Sequence, residues 1–299
     1  MNVDQLLAYL SEWGSRFDSR LSELIESLEK RVQGLQRALW REILEAFGEL
    51  FGTDGKRLAR GTKNVSASLA KLERLLDRFE GVQIAEELRL FAAELIEVGG
   101  LTVEYYEATD GRAKARAIEK SLNLLRAVIG IDGAGALIAG GYLDRLGKTE
   151  AARELLRSYV VNSIVSGRSL FDFRNGFREL IVGNPDTEGA LQRYWRQYAY
   201  DTYNKAHEVV NVSMADELNM SHFIYQGSII PTSRQFCRKR AGKVFTRAQA
   251  DTWKNDPDLI DPKTKDTYNP LIERGRYNCR HWINWISEDL AAELKKKQK

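Results

Sequence analysis

Residues 191–230 read LQRYWRQYAYDTYNKAHEVVNVSMADELNMSHFIYQGSII, and a change of pattern inside this stretch decides the fold. As far as Leu218 it reads as one helix carrying Tyr194, Tyr198, Tyr203, His207 and Val210, with Tyr203 and His207 four apart on one face. From Phe223 to Ile230 β-branched and aromatic residues crowd together, which is the composition of a strand. Beyond it, Lys243-Val244-Phe245-Thr246 predicts a second short strand, and Trp253 falls in a short helix begun near Thr246. DPDLIDPKTKDTYNP reads as an irregular loop, Tyr277 to Ile283 as a returning strand, and Ser287 as the cap of a last helix, EDLAAELKKK.

In the other direction the helical pattern continues. All five prolines (Pro185, Pro231, Pro257, Pro262, Pro270) lie beyond residue 184, and the proline-free part before them reads as helix almost throughout. Leu21, Ile25, Leu28, Val32, Leu35 and Leu39 step by four and three. Val65, Leu69, Leu72, Leu76 and Phe79 do the same, as do Ile84, Leu88, Phe91, Leu95 and Val98. None of these seams persists for the several heptads of a long coiled coil, so they predict packing within one bundle. FGTDGKR and GTKN supply turns, with Asn64 or Ser66 as a cap. The fold class is therefore α+β and predominantly helical: a bundle-like helical domain over residues 1–185, then a small α+β domain with short antiparallel strands over residues 186–299.

Two segments interrupt the bundle. Ala127 to Leu143, AVIGIDGAGALIAGGYL, is apolar except for Asp132 and rich in glycine. It is shorter than the ~20 residues that cross a bilayer, and Gly140-Gly141 weaken any helix, so it predicts a buried helical hairpin with a glycine turn rather than a membrane span. SGRSLFDFRNGFRELIVGNPDTEG carries the turn chemistry of a connector, with Phe171, Phe173 and Phe177 as a core patch.

The composition, 43% hydrophobic and 29% charged over 299 residues, is that of a globular protein. Two cysteines cannot build a dense disulfide framework, and MNVDQLLAYLSEWGSRF has no basic leader followed by an apolar core, which predicts synthesis in a reducing cytoplasm. A net charge of +3 does not by itself imply a nucleic-acid partner. Its distribution is more informative. Between Asn219 and Ala250 there is no acidic residue, while Arg234, Arg238, Lys239, Arg240, Lys243 and Arg247 are present. Arg274, Arg276 and Arg280 return near the second cysteine, and the sequence ends LKKKQK. Such a surplus suits a surface lying against phosphates or an acidic partner protein, and without a base-reading motif any DNA contact is expected to be sequence-independent.

One of the two cysteines and one of the three histidines stand together in GRYNCRHW, residues 275–282. Alternation along a strand puts Tyr277, Cys279 and His281 on one face. With Cys237 nearby, two thiols and an imidazole would supply three of the four ligands of a structural zinc, the fourth coming from His222 or an aspartate of the proline-rich loop. No C-x-x-C pair supports that site, and no third group is evident to orient a Cys–His catalytic pair. A core of Cys, Tyr, Trp and His, without metal or catalytic residues, accounts for more of the pattern.

At residues 195–286 the chain resembles the C-terminal domain of tailed-phage minor head proteins, the Mu F-like or head morphogenesis family. The resemblance rests on Thr232-Ser233-Arg234 followed by Cys237, on Gly242-Lys243-Val244-Phe245, and on Asn278-Cys279-Arg280-His281. Many members have an aspartate just before the Thr/Ser-Arg step, where this chain has Ile230 and Pro231. The resemblance implies a structural, non-enzymatic virion protein, made in the host bacterial cytoplasm. It would be present in few copies at the portal or inner capsid surface and act in head assembly or DNA delivery. Its partners would be portal, capsid or scaffolding proteins and packaged DNA, with no cofactor and no membrane, and it would be oligomeric in the assembled virion. Some members are fused to toxin or nuclease domains, so Tyr203, His207, Arg234, Cys237 and His281 form a competing nucleic-acid-cleaving site, although paired carboxylates and a Gly-rich phosphate loop are missing. An ejected membrane-active factor built around Ala127 to Leu143 is the third reading.

Overall fold

The computed structural model describes residues 3–51, 53–54, 56–148, 150–259, 266–276 and 279–297. The chain begins with α1 (Val3–Glu45), α2 (Phe47–Leu50), a hairpin of β1 (Thr53–Asp54) and β2 (Arg57–Leu58), and α3 (Thr62–Phe79). A π-helical turn, Glu80–Ile84, joins α3 to α4 (Ala85–Thr109). There follow α5 (Ala115–Ile129), α6 (Tyr142–Gly147), α7 (Glu150–Ser166), α8 (Leu170–Val182), a hairpin of β3 (Gly183–Asn184) and β4 (Thr187–Glu188), and α9 (Ala190–Glu217). The remainder holds β5 (His222–Gln226), α10 (Gln235–Arg240), β6 (Val244–Thr246), α11 (Arg247–Asp251), α12 (Pro270–Glu273), β7 (Trp282–Ile286) and α13 (Glu288–Lys297). The fold is thus predominantly helical α+β with short antiparallel strands, as the sequence predicts.

The chain forms two compact units, and neither is continuous in sequence. One comprises Met1–Glu23, Ala93–Ile129 and Tyr200–Lys299; the other comprises Leu24–Ala92 and Gly130–Ala199. The expected division at residue 185 runs along the sequence, whereas the units draw on separated segments because α1, α4 and α9 each supply residues to both.

The first unit is organised on a three-stranded antiparallel sheet of order β6-β5-β7. In it β5 pairs with β7 from His222↔Ile286 to Gln226↔Trp282, and with β6 from His222↔Thr246 to Ile224↔Val244. Every residue of β7, WINWI, is buried, which is why it reads as an apolar run rather than an alternating one. Helical side chains are anchored to its backbone. Tyr105 donates its hydroxyl to the Trp285 carbonyl at 2.7 Å, and Asn211 Nδ2 donates to the Ile283 carbonyl at 2.7 Å. Tyr106 in turn donates to Asn211 Oδ1 at 2.6 Å. Close helix packing depends on Gly99, where a Cβ would come within 2.7 Å of Leu125 Cδ2 and 3.2 Å of Val210 Cγ2. The predicted returning strand is displaced: it spans 282–286 rather than 277–283, so Cys279 and His281 precede it.

In the second unit Phe51, Tyr159, Phe173 and Phe177 form one aromatic cluster, with Tyr159 and Phe177 stacked at 5.5 Å. Arg153, 8% exposed, is held by Glu73, Asp77 and Glu80 at 2.6–2.8 Å. Residues 166–189 are mostly helix, not a connector. Ser169 Oγ caps α8 by accepting from Asp172 N, Phe173 and Phe177 bury one turn apart, and Gly183 at φ +86 ends the helix; Phe171 projects into solvent at 74% exposure.

The expected buried hairpin over Ala127 to Leu143 is instead helix only to Ile129, followed by a largely exposed turn. Gly130, Gly135 and Gly140 all take positive φ, and the Asp132 carboxylate accepts from Ala134 N and Ala136 N at 2.9 and 2.8 Å, chemistry that folds a loop. Among the described residues no helix is long and apolar enough to cross a membrane. Neither Asn64 nor Ser66 caps α3; the helix starts earlier, after Gly61, and Asn64 Nδ2 donates back to the Arg60 carbonyl.

Candidate functional site

The site grows from three short pieces of the first unit. Tyr225 is on the central strand β5, where Phe223 and Ile224 before it are also buried and Gln226 after it is half-buried. Cys237 belongs to α10, a single six-residue helix turned inward at Phe236, Cys237 and Arg240. Cys279 and His281 come from the segment leading into β7. Trp253 fixes the helix against the sheet: its ring meets those of Phe223, Tyr225, Phe236 and Phe245 edge-on at 5.2–5.8 Å. Thr246 begins α11 just before it with a reciprocal capping box to Gln249, bearing out the predicted short helix.

These pieces converge. Cys237 Sγ lies 3.8 Å from Cys279 Sγ, both thiols are free, and Cys279 Sγ lies 3.8 Å from His281 Nδ1. One ligand atom from each of the three residues fits within 4.8 Å of the others, and all three are buried. Tyr225 Oη donates to Cys237 Sγ at 3.4 Å and stands 3.7 Å from Cys279 Sγ, while the Tyr225 and His281 rings stack at 5.3 Å. Two glycines permit the approach. A Cβ on Gly275 would sit 2.6 Å from Cys237 Sγ and 2.9 Å from Cys279 Sγ; Gly227, at φ +125, passes so near that a Cβ would lie 2.8 Å from His281 Cα. Gly275 is flanked by Arg274 and Arg276, both at positive φ, in a turn whose Arg274 carbonyl accepts from the Tyr268 hydroxyl.

The two sulfurs are electrostatically unlike. Hydrogen bonding from the Cys237 thiol, aided by His281 and the Arg274 charge, holds Cys279 well below the ordinary thiol range. Sharing its proton with Cys279, together with burial, pushes Cys237 up. Burial also raises the Tyr225 phenol. Beside the cluster Arg274 Nη1 pairs with Glu208 Oε1, both fully enclosed, and Asn211 Nδ2 donates to Glu208 Oε2 at 2.9 Å. Burial pushes Glu208 up to about 7 against the pull of Arg274. The His281 Nε2 and Arg274 Nε atoms are buried without a hydrogen-bond partner among the described residues.

Of the predicted cleaving group, Cys237 and His281 meet in the cluster, while Tyr203 and His207 hold other partners. His207 shares a hydrogen bond with Thr102 Oγ1 at 2.7 Å, packs against the tilted Phe17 ring at 4.7 Å, and is driven well below its usual range by burial. Tyr203 donates to Glu94 at 2.5 Å. His222, offered as a fourth ligand, instead bonds Ser221 Oγ at the start of β5. Of the family-motif residues, Thr232, Ser233, Gly242 and Lys243 lie in the turns around α10, and Asn278 lies outside the described residues.

Three of the six basic residues of this stretch pair with acids from outside it. Arg240 is buried, bonded to Asp256 at 2.5 Å and stacked over Phe236 at 3.8 Å, so it cannot face phosphate. Lys239 pairs with Asp258, and Arg247 pairs with Asp216 while covering Trp285. Arg238 binds the Ile230, Pro231 and Ser233 carbonyls, at the very segment that lacks the family's aspartate. Arg276 lies over the Tyr268 ring at 5.0 Å. Arg234, Lys243 and Arg280 are exposed, as are Arg238 and Lys239.

Sequence reasoning missed Tyr225, Gly275 and the Arg274–Glu208 pair. The signal for Tyr225 was its place in a predicted strand rich in β-branched and aromatic residues; Gly275 and Arg274 carry none, since only the close approach of two sulfurs reveals them. Comparison with known protein families, with curated proteins and with solved structures finds no match.

Proposed function

We propose that this protein is a structural minor head protein of a tailed bacteriophage, acting at the portal or inner capsid surface in head morphogenesis. The observation that carries the reading is that motif residues from separated stretches, Cys237, Cys279 and His281, meet in one buried cluster around a short antiparallel sheet. The burial of both thiols and the imidazole favours a structural role over cleavage, since a nucleophile has to meet its substrate. Exposed Arg234, Arg238, Lys239, Lys243 and Arg280 leave a modest positive face that suits non-specific contact with packaged DNA or an acidic assembly partner.

The test is assembly. Purified protein mixed with the portal protein and procapsids of the phage or prophage that encodes it is expected to co-sediment at a few copies per particle, and deletion of its gene to leave heads defective in assembly or DNA delivery. A protein that remains in the supernatant and cleaves nucleic acid in a His281-dependent way overturns the proposal.

A further inference from the structure

The strongest unabsorbed feature is the geometry of the sulfur and nitrogen atoms themselves. A tetrahedral zinc with Zn–S bonds of about 2.3 Å and a Zn–N bond of about 2.0–2.1 Å separates two sulfurs by roughly 3.8 Å and a sulfur from a nitrogen by roughly 3.6 Å. The cluster has 3.8 Å between Cys237 Sγ and Cys279 Sγ and 3.8 Å between Cys279 Sγ and His281 Nδ1. Tyr225 Oη lies 3.4 and 3.7 Å from the two sulfurs, and the ligand atoms of Cys237, Cys279 and His281 all lie within 4.8 Å of one another. We propose that Cys237, Cys279 and His281 bind one zinc ion, with the Tyr225 hydroxyl at the fourth corner.

Three further observations support this site. Gly275 is held to a bare hydrogen on its outer side by the two sulfurs, as expected where the backbone must wrap closely around ligand atoms. The aromatic wall of Tyr225, Phe236 and Trp253 closes the site, which is the mark of a structural zinc rather than a catalytic one with an open position. Charge also balances: the bound cysteines are thiolates, any thiol proton leaving to solvent on binding, and two thiolates cancel a divalent cation. Two thiolates with an imidazole select zinc over magnesium or calcium, which prefer oxygen. The ion would tie α10 to the segment before β7, two pieces 42 residues apart in sequence. The inference does not depend on the virion reading, because its readout is metal content and not assembly.

Elemental analysis of the full-length protein, purified without chelator, is expected to give one zinc per chain. Metal-free protein titrated with Co2+ should develop the intense visible and thiolate-to-cobalt bands of a tetrahedral sulfur site, displaced by equimolar zinc. Cys237→Ser and Cys279→Ser should each weaken zinc binding at least tenfold, and Tyr225→Phe, which keeps both sulfurs and the imidazole, should keep the thiolate bands with an altered visible envelope. Wild-type protein that takes up neither zinc nor cobalt overturns the site, and so does full zinc stoichiometry in Cys279→Ser. The wild-type cobalt spectrum decides the matter even where a serine variant does not fold.

Discussion

Replacing Trp253 by alanine should strongly destabilise the sheet-bearing unit. The indole is 3% exposed and edge-on to four aromatic rings, with the Arg240 guanidinium 4.8 Å from its face. Burying ~200 Å² of such a ring at ~25 cal/mol per Å² amounts to about 5 kcal/mol. Edge-to-face pairs add ~0.5–1.5 kcal/mol each, and partial collapse of the cavity returns some of the loss, so the expected cost is ~3–5 kcal/mol. That is a large fraction of the ~5–15 kcal/mol by which a domain is stable. Urea unfolding followed by circular dichroism, together with hydrogen exchange of the β5 amides, measures it. Trp253→Phe, which keeps a ring against Phe236 and Phe245, should lose only ~1–2 kcal/mol. A Trp253→Ala variant within ~1 kcal/mol of wild type, with an unchanged urea slope, would refute the view that this ring clamps α10 to the sheet.

Other consequences are equally open to measurement. Tyr105→Phe removes the hydroxyl that donates to the buried Trp285 carbonyl at 2.7 Å and should cost ~1–2 kcal/mol in the same urea assay. Gly99→Ala would drive a methyl into Leu125 and Val210 and is expected to lose ~1–3 kcal/mol, partly recovered in combination with Leu125→Val. Glu208 gives a pH signature: its folded value near 7 lies above its ordinary 4.5, so the folded state holds the extra proton. Its contribution is complete below pH 4.5 and is lost as pH rises through 7. The stability of wild type relative to Glu208→Gln should therefore fall by up to ~3 kcal/mol between pH 4.5 and 7.5, as followed by paired urea titrations. A difference that stays flat or rises with pH would show that Arg274 dominates the carboxyl instead.

The boundary between α9 and β5 was legible because hydrophobic spacing itself changes there, and the Thr246 cap announced α11. β7 was harder. Its five buried residues show no alternation, and assigning Cys279 and His281 to a strand face drew the prediction toward them, whereas those side chains come together from a loop. In Ala127 to Leu143 apolar composition suggested burial, but the backbone conformation is set by glycines with positive φ. Part of the basic run is paired in a way the sequence does not show. A count of charges along the sequence cannot see Asp216, Asp256 or Asp258 arriving from outside the run to meet it. The cysteine cluster was half visible, since the residue types were right while the partner Tyr225 and the glycine that admits both sulfurs follow only from tertiary geometry. Interleaving of the two units left no local mark, because it depends on which distant seams meet.

That interleaving has a consequence for the newborn chain. Trp13 and Phe17 are finally enclosed with His207 and Trp282, residues made long after them. At ~5–20 residues per second the ribosome needs on the order of ten seconds or more to reach those partners. For that interval the Trp13 and Phe17 face of the first helix lacks its covering from α9 and β7, and the three-stranded sheet can close only once β7 has been made.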